Sequence, residues 1–238
     1  MTTQTHTTTQ MNTQTYARIA GLLYLIIILC GIGGEAMMRA PLIGKTATDT
    51  LANILAAETS FRVSLLADVL MVLADVGIGA LLYFLLAPVD KMLSFLAMAF
   101  RLAQAAILGL NLVHLQQAIT FAHTSAFNTA QKAALVNTSL QSHAIGYDLG
   151  LFCFALNCVF VGILLLKTHN KALKWIGMSV ILAALVYFTG SILRLVAPTL
   201  AATFAAAYVI PLIAELALCG YLLFRGLPSL NAPAKDTQ

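Results

Sequence analysis

The sequence predicts an all-α membrane protein, a polytopic bundle of about six transmembrane helices with short interfacial helices in its outer loops. Three observations lead there. The 238-residue chain is 60% hydrophobic and only 9% charged, whereas a soluble domain carries about 25% charged side chains. Its mean hydropathy is +0.89. Six apolar segments, at about 17–38, 61–87, 92–122, 144–167, 173–196 and 203–226, each exceed the ~20 residues that cross a hydrocarbon layer of about 30 Å. None alternates polar and apolar residues as a barrel strand must. Helical hydrogen bonding is therefore what satisfies the backbone in lipid.

Residues 1–15, MTTQTHTTTQMNTQT, are rich in Thr and Gln and predict a disordered tail, with Met11 as an alternative start. The first span opens on Tyr16-Ala17-Arg18-Ile19 and closes on Gly31-Ile32-Gly33-Gly34-Glu35, where the glycines permit close helix contact. Five more spans follow it, which fits a membrane helix and not a cleaved signal peptide. Between 40 and 60, a Thr48/Asp49 start signal precedes Leu51, Ile54 and Leu55 at helical spacing, predicting a short interfacial helix. Segment 123–142, with Phe127, Leu135 and Val136 among Asn, Gln and Lys, predicts another. Spans two and three form a hairpin about Ala87-Pro88-Val89-Asp90-Lys91. In span four, Gly146 and Gly150 form a GxxxG spacing suited to packing. In span six, Pro211 frees the carbonyl of Ala207 and bends the helix one turn before Glu215. Residues 16–226 read as a single bundle, and 227–238 as a Pro-containing tail.

Lys and Arg set the orientation. Six spans put both ends on one side, together with Arg18, Lys91, Lys167, Lys171, Lys174, Arg225 and Lys235. Arg39, Lys45, Arg62, Lys132 and Arg194 fall on the other. The dense Lys167–Lys174 cluster occupies a short loop, where the positive-inside bias acts most strongly. Both termini are expected in the cytoplasm. The net charge of +4 then signals topology, and nucleic acid is not an expected partner. Cys30, Cys153, Cys158 and Cys219 lie in apolar runs without metal-like spacing and read as reduced, buried thiols.

Polar residues inside the spans carry the functional signal. Asp68 and Asp75 are seven apart and share a helix face, as do Gln104 and Asn111. Counting outward from the turn near 89.5 sets Asp75 level with Gln104 and Asp68 level with Asn111, with Arg101 one helical turn from Asp75. Two polar rungs are expected, the inner one an Arg-assisted carboxylate. The second hairpin, turning near 169.5, sets Asp148 level with Ser191 and one turn from Arg194. Glu215 lies near the depth of Asp75 and Arg101. Glu35, Arg39, Glu58 and Arg62 gather at the outer boundary. A charge at mid-bilayer costs at least ~2.5–3.5 kcal/mol, so Asp68, Asp75, Arg101 and Glu215 must face inward.

An outward-facing polar cavity between spans two, three, four and six follows, with Asp75 and Glu215 as titrating acids and Arg101 as fixed counter-charge. Its ligand would be an unknown small molecule or a proton, for transport or sensing. A second reading is an intramembrane enzyme, metal- or haem-dependent, using His114, His143 and Asp148. A third is an accessory subunit whose polar residues only pack helices. No Walker loop, GxGxxG, GxSxG or haem-attachment motif is present, and no cofactor or resident metal is implied. Oligomeric state is left open.

Several stretches resemble one family. They are YARIAGLLYLIIILCGIGGE, the AAETSFR of 56–62, the LYFLLAPV of 82–89, Phe100-Arg101-Leu102 with Asn111, His143 before Gly146-Tyr147, and Pro211 with Glu215. Together they are similar to a bacterial integral membrane family, domain-of-unknown-function family 4386. The resemblance spans nearly everything from Tyr16 to Phe224. It implies residence in a bacterial or archaeal inner membrane and about six or seven helices. No activity comes with it, and no catalytic residue is carried over. The family's pattern and the polar set coincide on Glu35, Arg62, Arg101 and Glu215.

Overall fold

The computed structural model describes residues 5–227, which are helical apart from short connections. Helix α1 (Thr5–Gly31) leads into a π-helical stretch, Ile32–Arg39, and a 3-10 turn, Ala40–Leu42. Then come α2 (Ala47–Ala56), α3 (Glu58–Leu86), α4 (Lys91–His123), α5 (Thr129–Leu166) and α6 (Lys171–Val196). A short α7 (Pro198–Phe204) and a 3-10 turn, Ala205–Tyr208, precede α8 (Val209–Phe224). Six helical stretches are long and apolar enough to cross a membrane: Thr13–Leu42, Glu58–Leu86, Lys91–His123, Thr129–Leu166, Lys171–Val196 and Pro198–Phe224. The chain is a multi-pass helical membrane protein.

Boundaries differ from expectation in four places, each for a local reason. The tail expected to be disordered is helical from Thr5; residues 1–4 and 228–238 lie outside the described residues. Thr46 caps α2, because its hydroxyl accepts from the Asp49 N–H while the Asp49 carboxylate accepts from the Thr46 N–H, both at 3.1 Å. That is a capping box beginning two positions before Thr48. The segment expected as a second interfacial helix is instead the opening of α5, capped by Asn128 and continuous for 38 residues. Neither Gly nor Pro interrupts it before Gly146, and its Ala133 and Val136 bury against Leu51 and Ile54 of α2. Finally, the span expected to be continuous through Pro211 is broken just before it: Ala205–Tyr208 forms a 3-10 turn, and Ala207, to whose carbonyl Pro211 cannot donate, lies in it.

The spans pack in a closed ring. Each contacts its neighbour in sequence, α1 with α3, then α4, α5, α6 and α8, and α8 returns to α1. Six cylinders in a ring leave a central gap about one helix wide, roughly 10 Å. Large side chains must fill that gap or leave space. At the end bearing the tight turns, Lys167 Nζ meets Asp90 at 2.6 Å and the Gln14 amide donates to the Leu227 carbonyl at 3.3 Å. Exposed Phe84, Met92, Trp175 and Phe224 ring this end, where aromatic anchors suit a membrane interface. At the opposite end, α2 caps α3, α4 and α5 through a separate core of Phe61, Leu115, Ile119 and Val136.

Candidate functional site

Arg101 of α4 occupies the middle of the ring and is 1% exposed. One terminal nitrogen donates to Asp75 Oδ1 of α3 at 2.5 Å, and the other reaches Asn157 Oδ1 of α5 at 3.4 Å. Its carbon lies 5.3 Å from the Tyr24 ring centre and 5.0 Å from that of Phe154, within cation–π range. Gln104 donates to the second Asp75 oxygen at 3.3 Å. Asn157 is held by donating to the Ala97 carbonyl at 2.8 Å. The inner rung therefore assembles as the hairpin arithmetic indicates. Two atoms of it keep no partner: Arg101 Nε and Gln104 Oε1.

Both residues line a recess of about 230 Å³ to which all six spans contribute, through Ile28, Asp75, Arg101, Tyr147, Tyr187 and Glu215 among others. Glu215 of α8 accepts a short hydrogen bond from the Tyr187 hydroxyl of α6. Among the described residues no cationic group pairs with it. The expectation that Asp75 and Glu215 share Arg101 is corrected here: Asp75 takes the guanidinium, and Glu215 takes a phenol. A larger recess of about 420 Å³ lies toward the α2 end, lined by Glu35, Arg39, His143, Asp148 and Arg194. Gly31, Tyr147 and Leu151 line both. Tyr147 thus stands where they meet.

The outer rung does not form. Asp68 pairs with Arg39 Nη1 at 2.6 Å instead of with Asn111. The widened π-helical turn, which holds Gly33 and Gly34, brings Arg39 against α3, where Gly34 sits near the Ser64 carbonyl and Ala67. Arg39 Nε also donates to Glu35 at 2.8 Å, and Glu35 itself is largely exposed. Asn111 instead donates to the His143 carbonyl at 2.8 Å. It lies over Gly146, where a methyl group would overlap its amide. Asp148 meets Arg194 Nε at 2.5 Å and accepts from Ser191 at 3.4 Å, so the outer-leaflet pair is present.

Arg62 and His114 line neither recess. Arg62 is exposed and pairs with Glu58 at 2.7 Å, with His123 on the other Glu58 oxygen. It belongs to the outer rim. His114 is also on the surface, 3.2 Å from Gln117, while His143 is buried and Asp148 is engaged by Arg194. His114, His143 and Asp148 do not converge. Among the described residues no three His, Cys, Asp or Glu side chains form a group able to hold a metal ion.

A family model described as domain of unknown function (DUF4386) matches residues 19–226. The chain belongs to that family. No curated protein and no solved structure matches it. The DUF4386 match takes in every residue named at both recesses. Sequence reasoning passed over Arg39 as a site residue, and also Asn157, Tyr147 and Tyr187. A signal for Asn157 and Tyr187 was present: Asn and Tyr at mid-span depth, away from the interfaces where Tyr normally sits.

Proposed function

We propose that this DUF4386 protein binds a small solute or a proton in a polar cavity open to the outer face, in transport or in sensing. The supporting observation is the junction of the two recesses at Gly31, Tyr147 and Leu151. It offers a path from the outer rim to Arg101 and Glu215. Polar side chains used only as glue between helices are worth ~0.6–1.7 kcal/mol per contact and are satisfied by one another. Here Arg101 Nε and Gln104 Oε1 are buried without a partner, and both residues line the deep recess. The host membrane in this reading is a bacterial inner membrane, with both termini in the cytoplasm and the larger recess facing out.

The path is testable by thiol labelling. In a variant lacking the four native cysteines, Leu151→Cys reports on the junction and Met71→Cys on the deep recess. Leu110→Cys, on the lipid-facing surface at 75% exposure, serves as control. A membrane-impermeant cationic methanethiosulfonate added outside should modify the first two and spare the third. If Leu151→Cys and Met71→Cys stay unmodified in folded protein, the cavity is closed, and a packing subunit is the better description.

A further inference from the structure

Charge accounting in the deep recess gives its ligand a sign. Three ionisable groups of opposite kinds meet there: Asp75, Arg101 and Glu215. Arg101 and Asp75 cancel at 2.5 Å. The Tyr24 and Phe154 rings lie against the same guanidinium. Glu215 is left over. The groups around it are Tyr24 from α1, Asp75 from α3, Arg101 from α4, Tyr147 and Cys158 from α5 and Tyr187 from α6. Only one of these is a cation, and it is already committed. With a phenol as partner and no cation paired with it among the described residues, a Glu215 carboxylate inside the bundle is costly, and a proton or a bound cation offsets that cost.

The walls specify which kind of cation. Phe154, Tyr187 and Tyr208 form a run of rings with centroids 5.2 Å and 5.8 Å apart, and all three line the recess with Tyr147. Aromatic faces attract an organic ammonium and make poor ligands for a metal ion. Gln104, whose amide already donates to Asp75, lines the same recess. An anion would meet two carboxyl groups and one neutralised guanidinium. A cavity of roughly 150 Å³ takes up benzene, so about 230 Å³ admits a ligand of modest size.

Resting on the cavity reading above, we infer that the deep recess takes a small organic ammonium cation in exchange for the proton of Glu215. The ligand arrives through the outer recess with its charge. The Glu215 proton leaves by the same route, so one cation enters per proton released, and apparent affinity rises with pH.

Choline and its neutral isostere 3,3-dimethylbutan-1-ol are the probes, applied to purified full-length protein in weakly buffered detergent with a pH indicator. Choline should bind and release about one proton per site, while the alcohol should bind on the order of tenfold more weakly and release none. Glu215→Gln should abolish proton release, and Glu215→Asp should restore it. Should Glu215→Gln fail to fold, the pH dependence of choline binding to the unaltered protein decides. Equal binding of the alcohol, or choline binding without proton release, overturns the inference. So does absence of choline binding in protein whose Leu151→Cys variant labels from outside, and that result would leave the cavity reading standing.

Discussion

A guanidinium held away from water depends on its counter-charge more than on any other contact. Arg101 has one carboxylate partner, Asp75, and both side chains are almost wholly buried. Asp75→Asn keeps the shape of the rung but strands the positive charge. Breaking such a pair costs about 3–5 kcal/mol, much of it the penalty of the charge left behind. Arg101→Gln strands the carboxylate in the same way. The double variant removes both charges, and its two amides can still bond to each other and to Gln104 and Asn157. Thermal unfolding in detergent should therefore show each single variant well below the unaltered protein and the double variant above either single. Additive losses in the double variant would mean that the two charges are not coupled. Glu215 has no such dependence: its partner is the neutral Tyr187 hydroxyl, so Glu215→Gln should cost less stability than Asp75→Asn.

At the scale of elements, what the sequence discloses depends on how far apart in the chain two partners lie. The α3–α4 hairpin turns within four residues, so depth along one arm fixes depth along the other, and Asp75, Gln104 and Arg101 can be matched by counting. The α5–α6 hairpin yields Asp148, Ser191 and Arg194 by the same means. Asp68 escapes this arithmetic because Arg39 arrives from α1 across a long outer connection, through a π-helical turn that shifts the helical register. The Tyr187–Glu215 bond is equally hidden, since α7 and a 3-10 turn intervene between the two helices. The turns themselves carry a further expectation. Asp90 caps α4 by accepting from the Leu93 N–H at 3.1 Å and joins the other tight turn through Lys167 at 2.6 Å. The Lys167 ammonium, with help from that backbone donor, holds its carboxyl below the ordinary aspartate range. Because the folded value is the depressed one, the contribution is present in full above the unfolded aspartate pKa and is lost as pH falls through the folded value. Asp90→Asn retains the cap and deletes the ion pair. The stability gap between it and the unaltered protein should be measurable at neutral pH, close in acid, and shrink in high salt as expected for exposed charges.

The whole molecule is a ring, and a ring is only as closed as its last seam. Gln14 and Leu227 meet at the tight-turn end, as six crossings require, with the Gln14 amide bonded to the Leu227 carbonyl. A fluorescent protein fused to the C-terminus should fold and emit, whereas alkaline phosphatase at the same point should be inactive; the reverse result would invert the cavity. The seam itself is α8 against α1. Gly21 lies against the backbone of Leu222 and Leu223, where an added methyl would sit 2.8 Å from the Leu223 nitrogen. The Cys219 thiol meets the Gly21 carbonyl at 3.4 Å. Backbone cannot turn aside as a side chain can, so Gly21→Ala must push the two helices apart. Overpacking of this kind costs about 1–3 kcal/mol. Gly220, on α8 but with nothing within 4 Å of its would-be methyl, faces away from α1, and Gly220→Ala should leave stability unchanged or slightly higher. The seam also bounds the recess, because Ile28 of α1 and Glu215 of α8 both line it. Opening it by a fraction of an ångström would admit lipid or detergent to the recess from the α1–α8 side. Gly21→Ala should thus combine a lower unfolding temperature with faster modification of Met71→Cys by a lipid-soluble maleimide, while Gly220→Ala changes neither. If Gly21→Ala matched Gly220→Ala in both measurements, α1 and α8 would not be in the close contact that shuts the ring.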